Sequence, residues 1–222
     1  MTALVALALL QHSAVTPVQR SDTWWQSRHR VCVEQTRKAE FDVAFIGDSI
    51  TQGWEGAGKA AWDEHFVPLR AANFGFSGDR TQHVLWRLAN GEIVGAKPKV
   101  MIVMIGTNNL GANTPQETAD GVVEIVNTLL ARTNAKVLLL GIFPRAATAD
   151  NSFRLAAADA TRFYWERCDQ PRVTRLDIGA HFVRSDGSLR TMLMPDALHL
   201  NSNGYGIWAK AMLPTLKQML EG

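Results

Sequence analysis

Only two of the 222 residues are cysteine, Cys32 and Cys168, and they stand far apart in the chain. This excludes a disulfide framework and leaves either a single bridge or, as expected here, two small buried thiols. A zinc site needs several thiolate or imidazole ligands at close spacing, and none is present, so no metal and no cofactor is expected. A surplus of one charge is also missing: 23 Lys and Arg against 21 Asp and Glu leave a formal net charge of +2. That gives little electrostatic reason for a nucleic-acid partner. The loose set Arg145, Arg154, Arg162, Arg167, Arg172 and Arg175 reads as solvated helix faces. Internal repeats, low-complexity tracts, a Walker A loop and a dinucleotide fingerprint are all lacking. The apolar run Met1 to Leu10 is too short to cross a bilayer, so no stable membrane insertion is expected.

That run has the size of a signal-peptide core, but no Lys or Arg precedes it. Ser13 and Ala14 are small residues of the cleavage-site kind. An N-terminal arm lying on the domain explains residues 1–20 equally well. The compartment therefore stays open between cytoplasmic and secreted or periplasmic. Residues 21–222 have the length of one domain with a sizeable core, and 46% apolar and 20% charged residues are ordinary globular values.

Strand and helix patterns alternate along those residues. Thr23–Thr36 reads as an amphipathic helix with Trp24, Arg28, Val31 and Cys32 at helical spacing, and His29 is expected at the surface. Strands are expected at Asp42–Ile46, Leu69–Phe74, Val100–Ile105, Lys136–Leu140 and Val173–Asp177, the last at an edge. Helical stretches are expected around Trp54, Trp62 and Phe66, over Thr81–Asn90 and from Thr114 to Arg132. Two more follow, over Ser152–Cys168 and Gly204–Leu220, where Pro214 should kink the helix. Thr114-Pro-Gln-Glu117 is a capping box with Pro at the first helical position. The expected fold class is α/β: a three-layer αβα sandwich on a flavodoxin-like parallel sheet of about five strands.

Three of those strands end in glycine followed by small polar residues: Gly47-Asp48-Ser49, Gly75 to Asp79, and Gly106 to Asn109. Such loops meet along one edge of a doubly wound sheet. A serine hydroxyl is a poor nucleophile at neutral pH and needs a base and an orienter for that base. His199, just before the final helix, is the candidate base, and Asp196, three residues earlier, the candidate orienter. His29, His65, His83 and His181 read as structural. The backbone N–H groups of Ser49 and Gly78 and the side-chain amide of Asn108 are candidate donors to a tetrahedral oxyanion.

Four ordered blocks, Gly47-Asp48-Ser49, Asn73 to Gly78, Gly106 to Asn109 and Asp196 to His199, resemble those of the SGNH (GDSL) hydrolase family. Gly78 to Leu88 and Pro98 to Val100 further resemble the catalytic subunits of intracellular platelet-activating-factor acetylhydrolase and their bacterial relatives. The resemblance runs from about Trp24 to the C-terminus. It implies a serine esterase with Ser49 as nucleophile, His199 as base, Asp196 as its partner, and an oxyanion hole from Ser49, Gly78 and Asn108. It also implies an acyl pocket at Ile50 and Leu198, with Thr107 and Asp48 beside it, small enough to favour acetyl. The substrate is then a small acylated molecule, with a carbohydrate acetyl ester and an acetylated phospholipid as the alternatives. Relatives form dimers, so a homodimer is an open state, and Trp86, Trp165 and Trp208 are either part of such a surface or core. A non-catalytic module that binds a phosphate ligand through the same loops is the competing reading.

Overall fold

The computed structural model describes residues 12–221, and the Met1 to Leu10 run lies outside the described residues. Five strands form one sheet: β1 Val43–Gly47, β2 Ala71–Gly75, β3 Val100–Met104, β4 Lys136–Leu140 and β5 Val173–Leu176. They pair in parallel in the order β2-β1-β3-β4-β5. Helices α1 Thr23–Lys38, α2 Ser49–Gln52, α3 Lys59–His65, α4 Thr81–Ala89, α5 Pro115–Arg132, α6 Ser152–Arg167 and α7 Ser202–Glu221 accompany the sheet. The strand order reverses at β1, whose neighbours β2 and β3 lie on opposite sides. Loops leaving β1 and β3 therefore diverge and open a crevice at the carboxyl edge.

Alternation along the strands divides the interior into two cores. Ala44, Ile46, Phe74, Met101, Val103, Val137 and Leu139 face α1, α4, α5 and α6. Val43, Phe45, Val100, Ile102, Leu138 and Leu140 face α7 and the 3-10 turn Gly53–Glu55. The expected three-layer sandwich follows, since strands so apolar on both sides require cover on both. In the second core Trp54 meets Tyr205 and Trp208, with ring centroids 4.7 Å apart in each pair. Tyr205 also donates to the carbonyl of Ile50 at 2.7 Å. A Cβ at residue 53 would lie 2.0 Å from that same hydroxyl, so Gly53 is a packing requirement.

Several boundaries differ from the sequence expectations. The α1 helix turns Trp25, His29, Cys32 and Thr36 inward, leaving Trp24 and Val31 exposed. The expected face was thus rotated by one residue, because Trp24 and Trp25 compete for the same apolar stripe. His29 is accordingly buried, with Nδ1 3.0 Å from Glu92 Oε1 and Nε2 3.1 Å from the Asn90 carbonyl. The β2 strand starts at Ala71, since Arg70 takes a φ of +51° in a turn that bonds back to Val67. The stretch from Trp54 to Phe66 breaks into a 3-10 turn and α3. The α7 helix begins at Ser202 and runs on through Pro214. Trp208 is core, whereas Trp86 and Trp165 are half-buried against the other core. Both cysteines are free, and burial pushes the Cys32 thiol up to about 12 and the Cys168 thiol up to about 11. The capping box forms as expected: Thr114 accepts from the Glu117 N–H at 3.2 Å, and Glu117 accepts from the Thr114 N–H at 2.9 Å.

Charged groups tie α1, α4 and the loop after β2 together under the crevice. Asp79, fully buried, accepts from Trp25 Nε1 at 2.7 Å and from Arg87 Nε at 2.9 Å. Arg87, equally buried, also pairs with Glu92, and its guanidinium lies 4.0 Å from the Phe76 ring centroid. Removing Arg87 takes the shared guanidinium from two buried carboxylates, leaving Asp79 with Trp25 and the more distant Arg20 nitrogen and, among the described residues, Glu92 with His29 alone. Arg87→Met should cost about 3–5 kcal/mol in urea denaturation at neutral pH. A loss below about 1 kcal/mol, the size of an exposed pair, would show that the network is dispensable.

Candidate active site

Ser49 is delivered by a strand end that only glycine permits. A Cβ at residue 47 would fall 2.4 Å from the Met104 carbonyl oxygen and 2.1 Å from Thr51 Oγ1. Asp48 follows as the N-cap of α2, its Oδ1 accepting from the Ile50 N–H at 3.0 Å. That bond makes Ser49 the first residue of the helix, half-buried at the sheet edge. Asn73 secures the turn from β2, donating to the Thr51 carbonyl at 3.1 Å and accepting from the Gly75 N–H at 2.8 Å.

The loop before α7 carries Asp196 and His199, the expected orienter and base. Asp196 Oδ1 accepts from the backbone N–H groups of Leu198 and His199, at 3.0 and 2.7 Å. Its Oδ2 is 2.6 Å from His199 Nδ1, and His199 Nε2 is 2.9 Å from Ser49 Oγ. With Nδ1–H donating to the carboxylate, Nε2 keeps its lone pair for the serine proton. Burial alone would raise the Asp196 carboxyl, but the hydrogen bonds from the His199 ring and from the two backbone N–H groups hold it below its ordinary value.

The two further predicted donors sit on the adjacent strand ends. Gly78, in the loop after β2, has a φ of +75° that a side chain would strain. Asn108, in the loop after β3, is half-buried and donates one amide hydrogen to the Asp79 carbonyl at 2.9 Å. An amide nitrogen has two hydrogens, so one remains for an acceptor in the crevice.

The residues expected around the acyl group are placed differently from one another. Ile50 is buried in the aromatic core, and Leu198 packs half-buried against the same cluster. Thr107 is buried, its hydroxyl and carbonyl accepting from Arg145 Nη1 at 3.2 and 3.0 Å. Asp48 is only 1% exposed. It lies beneath the site, where burial pushes its carboxyl up to about 7 against the Ile50 N–H that opposes the shift. Arg145 was missed by the sequence reasoning, which grouped it with solvated arginines. Its sole cue was a position just past the end of β4. Arg154 and Arg172 leave that solvated group as well. Arg154 donates to the carbonyls of Arg145, Ala146 and Gly187, and Arg172 to those of Leu130, Thr133 and Ala135. Among the described residues no cluster of three or more potential metal ligands occurs.

Comparison with known proteins places the chain in a family and its fold among solved structures. A model of the GDSL-like Lipase/Acylhydrolase family matches residues 45–207, a span that contains every residue from Ser49 to His199. The chain is 39% identical over 206 residues to platelet-activating factor acetylhydrolase IB subunit alpha2 of Rattus norvegicus, covering 91% of this chain and 87% of that one. It is 38% identical over 212 residues to subunit alpha1 of Homo sapiens, covering 94% and 90%. Among solved structures, a candidate acylhydrolase from Bacteroides fragilis superposes with a TM-score of 0.74 at 20% identity, over 90% of this chain and all of that one. The acetylxylan esterase Axe2 from Geobacillus stearothermophilus superposes with a TM-score of 0.62 at 17% identity, over 78% and 92%. At those identities the two structures speak for the fold, while the family match and the two subunits speak for descent: this chain belongs to the GDSL-like lipase/acylhydrolase family.

Proposed function

We propose that the protein is a serine esterase hydrolysing short-chain acyl esters, acetyl first, with Ser49 as nucleophile, His199 as general base and Asp196 as its orienter. The observation that carries this reading is the unbroken line from Asp196 through His199 to Ser49, at 2.6 and 2.9 Å. Ser49 Oγ attacks the ester carbonyl carbon as its proton passes to His199 Nε2. The carbonyl oxygen becomes an oxyanion held by the N–H groups of Ser49 and Gly78 and by the Asn108 amide. Collapse expels the alcohol, which takes the proton from His199, and leaves an acyl-enzyme. Water, deprotonated by the same imidazole, then releases the carboxylic acid and restores Ser49. Asp196 stays ionised throughout and stabilises the imidazolium.

The acetyl preference is proposed from the resemblance, in which the positions of Ile50 and Leu198 line a small acyl pocket; Ile50 is buried in the aromatic core and Leu198 packs half-buried against it. An acetyl ester is also what the names of the similar proteins share, since one group is named for platelet-activating factor and the other for acetylated xylan. The alcohol is then either a sugar or a glycerolipid. A phosphate-binding module on the same loops is less well supported, because it has no use for a histidine bonded to the serine hydroxyl.

Ser49→Ala should remove turnover of p-nitrophenyl acetate and labelling by a fluorophosphonate, with thermal stability retained; full turnover in that variant would sink the proposal. Asp196→Asn should lower kcat on the order of 10²–10³-fold, short of the ~10⁴ seen for a buried triad aspartate, since the Asp196 side chain is 57% exposed. Leu198→Ala should move the preference along an acetate, butyrate and hexanoate series toward longer chains, measured as relative kcat/KM. Asp48 gives a pH signature. Its carboxyl titrates near 7 when folded, against an ordinary value of 3.8, so the stability it contributes is complete below pH 4 and is lost as the pH rises to 7. Asp48→Asn should therefore become progressively more stable relative to the parent from pH 4 to pH 8 in chemical denaturation.

A further inference from the structure

The peptide that presents the Gly78 N–H has a carbonyl at its other end, and a cation holds that carbonyl. Arg20 Nη1 donates to Ser77 O at 2.7 Å, and among the described residues this is the hydrogen bond that oxygen receives. The same nitrogen lies 3.5 Å from Asp79 Oδ1, while Nε donates to Asp22 Oδ2 at 3.0 Å. A Cβ on residue 78 would stand 3.1 Å from Arg20 Nη1, so the guanidinium lies directly against the loop.

The arginine is itself anchored. Residues 12–22 run across α4 and α5: Thr81 Oγ1 donates to the Ala14 carbonyl at 2.7 Å, and the Val18 N–H donates to the Gln82 carbonyl at 3.2 Å. His12 Nε2 sits 3.0 Å from Asp120 Oδ2, and Ala14 is fully buried. This segment precedes the family match, which begins at residue 45.

In a trans peptide the C=O and N–H bonds point in opposite directions. Fastening the Ser77 oxygen therefore sets where the Gly78 N–H points. A positive charge at the oxygen also polarises the unit and strengthens its N–H as a donor. The restraint is needed because glycine lets the peptide rotate at little cost. The flanking peptides have other anchors: the Ser77 N–H donates to Gln52 Oε1 at 2.6 Å, and the Asp79 N–H donates to the Phe76 carbonyl at 3.0 Å.

We propose that Arg20 is a positioning residue that orients and polarises the Ser77–Gly78 peptide, so that its N–H is aimed at the oxyanion. The inference rests on the esterase reading above. It is tested with Arg20→Met and Arg20→Lys, with kcat counted per Ser49 titrated by a fluorophosphonate, and with the affinity for phenylboronic acid, whose tetrahedral serine adduct places an oxygen in the same hole. For Arg20→Met the expected result is a kcat on p-nitrophenyl acetate at least tenfold lower, a KM within twofold of the parent, and boronate binding weakened in parallel. Arg20→Lys, which keeps a charged donor without the planar fork, should recover part of both. Parental kcat per titrated site in both variants overturns the proposal, as does a loss of kcat with boronate affinity unchanged, because a merely structural role lowers the titrated fraction alone. An active parent with unaffected variants refutes Arg20 only. A parent with neither turnover nor Ser49 labelling refutes the esterase reading and this one with it.

Discussion

The constraint on which the site depends is the absence of room beside Gly47. The β1 strand ends so close to the Met104 carbonyl and to Thr51 that no side chain fits there. The chain can then turn within a single residue, Asp48, from strand to helix. This places Ser49 at the reversal point of the strand order, where the neighbouring loops diverge. A bulkier residue at 47 would separate β1 from β3 or push α2 outward, and in either case the Ser49 hydroxyl would no longer meet His199.

Around that point the protein separates rigid support from chemistry. Beneath the site, Trp54, Tyr205 and Trp208 pack α7 against the turn after α2, and the Tyr205 hydroxyl ties the Ile50 backbone to α7. The same helix follows directly on the loop that carries Asp196 and His199. One aromatic core thus links the positions of Ser49 and His199, although they lie 150 positions apart. On the other side, the buried charges Asp79, Arg87 and Glu92 hold the loop after β2, and Asn108 is hooked to the Asp79 carbonyl. Both Ser49 and the loop that carries Gly78 are therefore held from below, the kind of preorganisation that the proposed electrostatic stabilisation of a transition state would use.

Much of this was legible in the residues. Continuous apolar runs such as Val100 to Met104 mark strands buried on both faces, and the glycine and small polar residues after them mark the functional edge. Asp196 and His199 could be paired from spacing because both lie in one loop. Other features were not legible. The inward face of α1 was misread because Trp24 and Trp25 are equally apolar, and only the partner for the indole N–H, Asp79, decides between them. His29 was read as a surface residue because its acceptor, Glu92, lies 63 positions away. Arg145 and Arg154 look like solvated arginines in sequence, yet they spend their guanidinium groups on backbone carbonyls of distant loops.

By itself, then, the sequence determined the fold class and the strand ends, and it offered Ser49, Asp196 and His199 as the set proposed to react. These are local properties: hydrophobic period, glycine at a turn, and a motif within one loop. What the tertiary structure alone decided is how far each group is held and aimed. The placement of Asp48 below the site, the tie from Thr107 to Arg145 and the grip of Arg20 on the Ser77 carbonyl all join segments remote in sequence. Each depends on which surfaces the packing brings together, and hydrogen-bond geometry between such surfaces leaves no trace in the order of residues.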